Sequence, residues 1–446
     1  MLEKFERYFK KLGYDKPTLI QSRVYPLIEQ NKSVLGLSPT GSGKTVAFLM
    51  PSLLNLNLGE GSQLIIIEPS QELAIQTARV ARNWANLLGL KVLALTGGAN
   101  IKRQTERLKK HPEVIVGTAG RLKNLIDDKK LKTHLFKTVI IDEADDLLQG
   151  ETLTTVREIV DNMMSDVQLE FFSATETEIL EELDHWFGNR NIQKIDVRNE
   201  DETQGIVKHG LMQVLRKNRN KMLARLQHVP NFKALVFFNQ TVDLNKTYSY
   251  FVHNHYTGVA KLTSDQNQNK REKAMNDFRL GRVKLLFTTD VAARGLDIPK
   301  LPAVVNYDLP DQENEYIHRV GRTGRMGENG LVINFGDDHD LRDLKNLLKN
   351  YQYDLKPIYF LKNKLVDEIP ESVIKAEKKK KLVEKNQPKQ EVNVPKHSNK
   401  KAKSIKSSPK KSNSATLKNK RKKKNKHTKN KGMRKKWRNL DNKNSK

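Results

Sequence analysis

Short β-branched apolar runs recur between residues 33 and 335 of this 446-residue chain, and the segments between them carry helical periodicity. In the first half the runs are Ser33 to Leu37, Gln63 to Ile67, Val92 to Leu95, Val114 to Val116, Thr138 to Ile141 and Leu169 to Phe172. Runs this short, with no polar face, suit strands covered by helices on both sides, as in a parallel sheet. The stretches Gln71 to Leu88 and Ile101 to Lys109 predict intervening helices, so the alternation predicts a doubly wound α/β fold. The pattern weakens over the polar stretch Asp196 to Gly205 and restarts with Ala234 to Phe238, Lys284 to Thr288, Ala303 to Tyr307 and Leu331 to Phe335. Two α/β lobes with parallel sheets are therefore expected, over 1–200 and 207–362, joined by a linker at 201–206.

Charge divides the chain differently. The formal net charge is +29, yet residues 375 to 446 hold 29 Lys and Arg against four acidic side chains, while positions 1 to 374 hold 52 against 48. The segment 363–446 is Lys-, Asn- and Ser-rich and has too few apolar residues to fold alone, so a disordered basic tail is expected. Its charge suits a polyanion, and Trp437 among Lys435, Lys436 and Arg438 is placed to stack on a base. The absence of cysteine excludes a disulfide framework, a thiolate metal site and a cysteine nucleophile. No secretory signal opens the chain, and no window approaches the roughly 18 apolar residues of a membrane span. A soluble cytoplasmic protein with no membrane partner is expected.

Chemistry enters after the first run, at Ser38-Pro39-Thr40-Gly41-Ser42-Gly43-Lys44-Thr45. Small residues between a strand and a helix let backbone N–H groups approach a phosphate, with Lys44 bridging β- and γ-phosphates and Thr45 offering its hydroxyl to Mg²⁺. Thr40, Gly41, Ser42 and Gly43 line that loop, and Ser38 stands where the generic pattern has glycine. Asp142-Glu143-Ala144-Asp145 follows the run Thr138 to Ile141, where Asp142 can hold hydrated Mg²⁺ and Glu143 can orient or deprotonate water. Ser173-Ala174-Thr175 is read either as a helix cap or as two hydroxyls bonded to the acidic motif. In the second half, Asp290 to Asp297 and His318 to Arg325 are Arg- and Gly-rich; they are either solvated basic turns or sources of arginine fingers for the γ-phosphate.

In this order and spacing, the segments resemble the DEAD-box branch of superfamily 2 RNA helicases over about residues 9 to 350. The resemblance implies two RecA-like lobes, ATP and Mg²⁺ as cofactors, and RNA as partner. It implies adenine selection by Tyr14 and Gln21, coupling through Ser173, Thr175, Asp145 and His318, and cleft closure on nucleotide by Gly295 and Asp297. Arg322 and Arg325 fall on the finger positions. The RNA-facing residues it implies are Pro69, Ser70, Gln71, Gly97, Gly98, Thr118, Gly120, Arg121, Asn239, Arg271, Thr289 and Arg294, gripping the backbone without regard to base sequence. The family usually has arginine at Gln71 and proline at Ala119, and the first departure removes a positive charge from the RNA path. The stretch Gly97 to Gln104 through Lys109 to Pro112 is most similar to small Gram-positive bacterial members of the YfmL type. That similarity implies a monomer acting in RNA metabolism or ribosome assembly, on ribosomal RNA or pre-ribosomal particles. Two other readings stand beside this one: an ATP-gated RNA clamp or annealing chaperone with little unwinding, and a DNA-directed ATPase of the same superfamily.

Overall fold

The protein is described by a computed structural model covering residues 2–368, apart from 204, 294, 295, 297, 299, 326, 352 and the side chain of Gln268. The apolar runs form two seven-stranded sheets. The first contains β1 (Val34–Leu37), β2 (Leu64–Glu68), β3 (Val92–Leu95), β4 (Val114–Thr118), β5 (Thr138–Ile141), β6 (Gln168–Ser173) and β7 (Gln193–Asp196). Their spatial order is β3-β4-β2-β5-β6-β1-β7, all parallel. The second contains β8 (Val207–Gln213), β9 (Ala234–Phe238), β10 (Val259–Leu262), β11 (Leu285–Thr289), β12 (Ala303–Asn306), β13 (Gly330–Gly336) and β14 (Leu355–Pro357). Its order is β10-β11-β9-β12-β13-β8-β14, again parallel, so one topology is repeated strand for strand in two RecA-like lobes.

Successive residues of a strand feed opposite cores. Ile65, Ile67 and Ile141 pack on one side of the first sheet, while Leu64, Ile66 and Ile140 pack on the other. Each such side chain, fully removed from water, is worth roughly 1.5–3 kcal/mol, which is why these strands have no polar face. Sequence reasoning missed β7, β10 and β14, which are edge strands with partly exposed side chains and hence no continuous apolar run. It also missed β8, an interior strand interrupted by His209 and Gly210. His209 is buried with its Nδ1 2.8 Å from the Tyr316 hydroxyl, and burial pushes it down to about 4, so the imidazole is neutral. An antiparallel hairpin of β15 (Tyr359–Leu361) and β16 (Lys364–Val366) carries the fold past residue 362, where the sequence pattern had placed the end of the second lobe. The basic segment from 369 onward, with Trp437, lies outside the described residues. Among the described residues no helix is long and apolar enough to cross a membrane.

Candidate active site

Parallel α/β sheets place their loops at the carboxyl ends of the strands, and both predicted catalytic segments of the first lobe are found there. The chain leaves β1 at Leu37, turns through Ser38 to Gly43, and enters the helix Lys44–Leu54, whose N-terminal N–H groups face the turn. Gly43 has φ of 88° and carries the Gln21 carboxamide so closely that a Cβ there would lie 2.5 Å from Gln21 Nε2. Ser38 is fully buried and its Oγ accepts a 2.8 Å hydrogen bond from the Ser42 hydroxyl, so the serine at the usual glycine position ties the loop together. Lys44 Nζ donates to the carbonyls of Ser38 at 2.9 Å and Pro39 at 3.2 Å. Gln21 donates from Nε2 to the Gly43 carbonyl at 3.2 Å and accepts at Oε1 from the Thr18 N–H at 3.0 Å. A carboxamide has two N–H groups and two lone pairs, so one of each remains for a purine edge. Tyr14, half-buried, packs its ring 5.0 Å from Phe9 beside this amide's helix.

Asp142 follows β5 and accepts at Oδ1 from the Glu143 N–H at 2.9 Å. Burial, and then the neighbouring Glu143, pushes Asp142 up to about 7. Glu143 adopts a left-handed backbone, φ 48° and ψ 53°, which for a residue with a Cβ costs on the order of 1–3 kcal/mol and is typical of functional positions. Its Oε2 is buried without a hydrogen-bond partner, the state expected of an oxygen that meets water or a hydrated cation in the working complex. The donor set therefore fits Mg²⁺ held through water. Sequence reasoning missed Glu68, the last residue of β2, which continues the register of Ile67 with Ile141 and so lies beside Asp142. Burial, and then Asp142, holds its carboxyl well above the usual glutamate range. The signal was available: an acid closing an apolar run, directly before Pro69.

The two lobes meet over this loop. Thr175 donates its hydroxyl to Asp145 Oδ2, and Ser173 Oγ donates to the Thr175 carbonyl at 2.6 Å, so these hydroxyls serve the acidic motif rather than capping a helix. His318, from the helix Glu313–Val320 of the second lobe, brings Nε2 to 3.2 Å from the same Asp145 oxygen and Nδ1 to 3.8 Å from Glu143. Burial alone depresses an imidazole, but Asp145 beside it raises His318 to about 9. Burial likewise works to raise Asp145, and His318 and Thr175 overcome it, holding the carboxyl at about 2. The pair is therefore ionised at neutral pH. One turn on, Gly321 passes so near Thr40 that a Cβ would lie 1.8 Å from Thr40 Oγ1, and the Arg325 stem packs against Gly41. Arg322 is buried, with one guanidinium nitrogen donating to the Leu296 carbonyl at 3.2 Å. Arg294, Gly295 and Asp297 lie outside the described residues.

The residues expected to face RNA also cluster at strand ends. Pro69, Ser70 and Gln71 follow β2, and Ser70 Oγ caps the helix Gln71–Ala85 by accepting from the Leu73 N–H at 3.2 Å. The Gln71 carboxamide lies against Gly97 and Gly98, where a Cβ would come within 3.1 and 3.3 Å of it. Thr118 ends β4; Ala119 is the first residue of the helix Ala119–Asp127, a position where proline's missing N–H costs nothing and alanine loses only its rigidity. Gly120 is open to solvent, and Arg121 donates to Gln104 Oε1 at 2.7 Å and to the Ala99 carbonyl at 3.3 Å. From the second lobe, Arg271 reaches Glu72 at 2.7 Å, and together with Pro69, Ser70, Gln71 and Thr118 it lines a cavity of about 780 Å³ between the lobes. Thr289 ends β11, and Asn239 follows β9 with its carboxamide bonded at both ends to protein, to Arg319 and to the Leu309 carbonyl.

Residues 18–183 match the DEAD/DEAH box helicase domain and 217–327 the helicase conserved C-terminal domain. The probable ATP-dependent RNA helicase YfmL of Bacillus subtilis is 37% identical over 358 residues, 79% of this chain and 93% of the relative. The DEAD-box ATP-dependent RNA helicase CshC of Bacillus cereus is 34% identical over 84% of this chain and 95% of its own length. Among solved structures, Saccharomyces cerevisiae Dbp5 bound to RNA and ADP BeF3 superposes with a TM-score of 0.71 at 27% identity, covering 85% of this chain and 97% of that one. The phosphate loop, the acidic tetrapeptide and the His318 helix thus occur in a chain that belongs to the DEAD-box family of ATP-dependent RNA helicases.

Proposed function

We propose that ATP and RNA draw the lobes together, that RNA held across the cleft is bent so that one strand leaves, and that hydrolysis resets the open state. Thr40 to Lys44 take the phosphates, Tyr14 and Gln21 the adenine, and Arg322 with Arg325 the charge that develops on the γ-phosphate. Thr45 and Asp142 are the residues that hold Mg²⁺, largely through water; when bound, the ion neutralises charge on the β- and γ-phosphates. Glu143 orients the attacking water and accepts its proton. Ser173, Thr175, Asp145 and His318 relay the state of that site between lobes, and Pro69, Ser70, Gln71, Gly97, Gly98, Thr118, Gly120, Arg121, Asn239, Arg271 and Thr289 grip the RNA backbone. The reading rests on one observation above others: His318 of the second lobe and Thr175 of the first share a single buried oxygen of Asp145.

The substrate is assigned to ribosomal RNA or pre-ribosomal particles, on the resemblance to small Gram-positive relatives and on the structured, polyanionic RNA that 29 tail cations suit. A monomer working in the cytoplasm completes the reading. Steady-state ATP hydrolysis with and without single-stranded RNA, with matched DNA and Glu143→Gln as controls, tests it. Stimulation by RNA and not DNA is expected, and Glu143→Gln is expected to lose about a hundredfold or more in turnover while still binding both ligands. Turnover that ignores RNA, or survives Glu143→Gln, contradicts the assignment.

A further inference from the structure

The helix Glu313–Val320 points two neighbouring side chains in opposite functional directions. His318 faces the acidic motif of the first lobe; Arg319, the next residue, is 1% exposed and touches neither that motif nor the phosphate loop. All five guanidinium N–H groups are accounted for. Nε donates to Asp290 Oδ1 at 2.7 Å, one terminal nitrogen to Asn306 Oδ1 at 3.2 Å and the Asp308 carbonyl at 2.8 Å, the other to Asn239 Oδ1 at 2.9 Å and Asp290 Oδ2 at 2.6 Å. The guanidinium also lies 5.2 Å from the centre of the Phe237 ring.

These acceptors belong to the segments that present RNA-facing residues. Asn239 is itself one of them, and Asp290 directly follows Thr289 at the end of β11. Asn306 is anchored in turn: its Nδ2 donates to Asn334 Oδ1 at 2.8 Å, and both asparagines are fully buried in the second sheet. A side chain with every donor satisfied by acceptors on β9, β11 and β12 segments has one geometry available, so any movement of the helix is transmitted to the ends of those strands.

We infer that Arg319 is the positioning residue that couples nucleotide state to RNA grip: it holds Asn239 and the Thr289–Asp290 turn in register with the helix whose preceding residue senses the acidic motif. The inference rests on the RNA path proposed above. Lysine keeps the charge of Arg319 but has three donors on a point charge, so it cannot hold the five acceptors in one arrangement. Coupling between two ligands exists only where one element has a different energy in their two states, and this helix is that element.

The test compares full-length wild type with Arg319→Lys and with the milder Asp290→Asn, which preserves side-chain shape and one acceptor. Three quantities are read: the RNA concentration giving half-maximal ATPase stimulation, the affinity for a fluorescent ADP without RNA, and the thermal midpoint. The half-saturating RNA concentration is expected to rise about tenfold in Arg319→Lys, within the usual range of coupling between sites, while ADP affinity stays within about twofold. Asp290→Asn is expected to shift the same way by less, and it decides the matter if Arg319→Lys does not fold. Unchanged RNA dependence in a folded variant overturns the inference. So does loss of ADP affinity and thermal midpoint together with RNA response, which marks a merely structural role. Wild type that shows no RNA stimulation overturns the functional reading beneath it, and the inference with it.

Discussion

Glu170 occupies the middle of β6 with no exposure, 2.9 Å from the Ser52 hydroxyl, which lies 2.7 Å from the Phe48 carbonyl. Ser52 has one hydrogen and two nearby acceptors. The conflict disappears if Glu170 is itself the donor, and burial pushes its carboxyl up to about 8, so it is neutral at pH 7. The folded protein then keeps a proton that the unfolded chain releases near the ordinary glutamate value of 4.5. Stability contributed by that proton is fully present below the unfolded value and is lost as pH rises toward about 8, with a slope of up to about 1.4 kcal/mol per pH unit from this group. Glu170→Gln supplies an N–H donor of the same shape at every pH. Urea titrations of both proteins between about pH 5 and 8 are expected to show the variant gaining on wild type as pH rises, with the two within about 1 kcal/mol at the acid end. Parallel curves exclude a neutral Glu170.

The helix Glu313–Val320 and the turn after it concentrate the interlobe contacts, and Gly321 shows why that turn has no side chain. Its φ is −61°, open to any residue, so glycine is there for space and not for backbone freedom. Gly321→Ala puts a Cβ where Thr40 Oγ1 sits, 1.8 Å away, and forces the lobes apart at the phosphate loop. Alanine favours this end of the helix by up to about 1 kcal/mol over glycine, so folding does not suffer. RNA-stimulated ATPase is expected to fall about tenfold or more, as for an enzyme whose catalytic constellation is displaced by an ångström, with the thermal midpoint unchanged; wild-type stimulation in the variant removes the contact from the mechanism. Much of this scale was legible beforehand. The interior strands announced themselves by having no polar face, and the phosphate loop, acidic tetrapeptide and His318 segment are local patterns. The edge strands β7, β10 and β14 were hidden because half their side chains see water, and β8 because His209 relies on Tyr316, a partner more than 100 residues away in sequence. Glu68, Glu170 and Arg319 were invisible as functional residues for the same reason: the meaning of a buried charge lies in its neighbours, and those come from other strands.

Over the whole molecule, charge separates two modes of RNA attachment. Positions 1 to 374 are nearly balanced, with 52 basic and 48 acidic residues, so the lobes owe their grip to geometry at strand ends and to closure on ATP. The segment 375 to 446, with 29 Lys and Arg, needs no nucleotide to attract phosphates. Removing everything after Glu368 is therefore expected to abolish most nucleotide-independent binding to single-stranded RNA and to leave the nucleotide-dependent component. Anisotropy of labelled RNA, with and without a non-hydrolysable ATP analogue over a salt series, separates the two. Each tail cation that neutralises a phosphate on a single strand adds roughly 0.7 to the steepness of log affinity against log salt, so the truncated protein is expected to respond much less steeply to salt. If the slope and the nucleotide-free affinity both survive truncation, the lobes alone bind RNA electrostatically and the near balance of their charge conceals a local basic track. If nucleotide-dependent binding disappears with the tail, attachment and closure form one step, and the division between them fails.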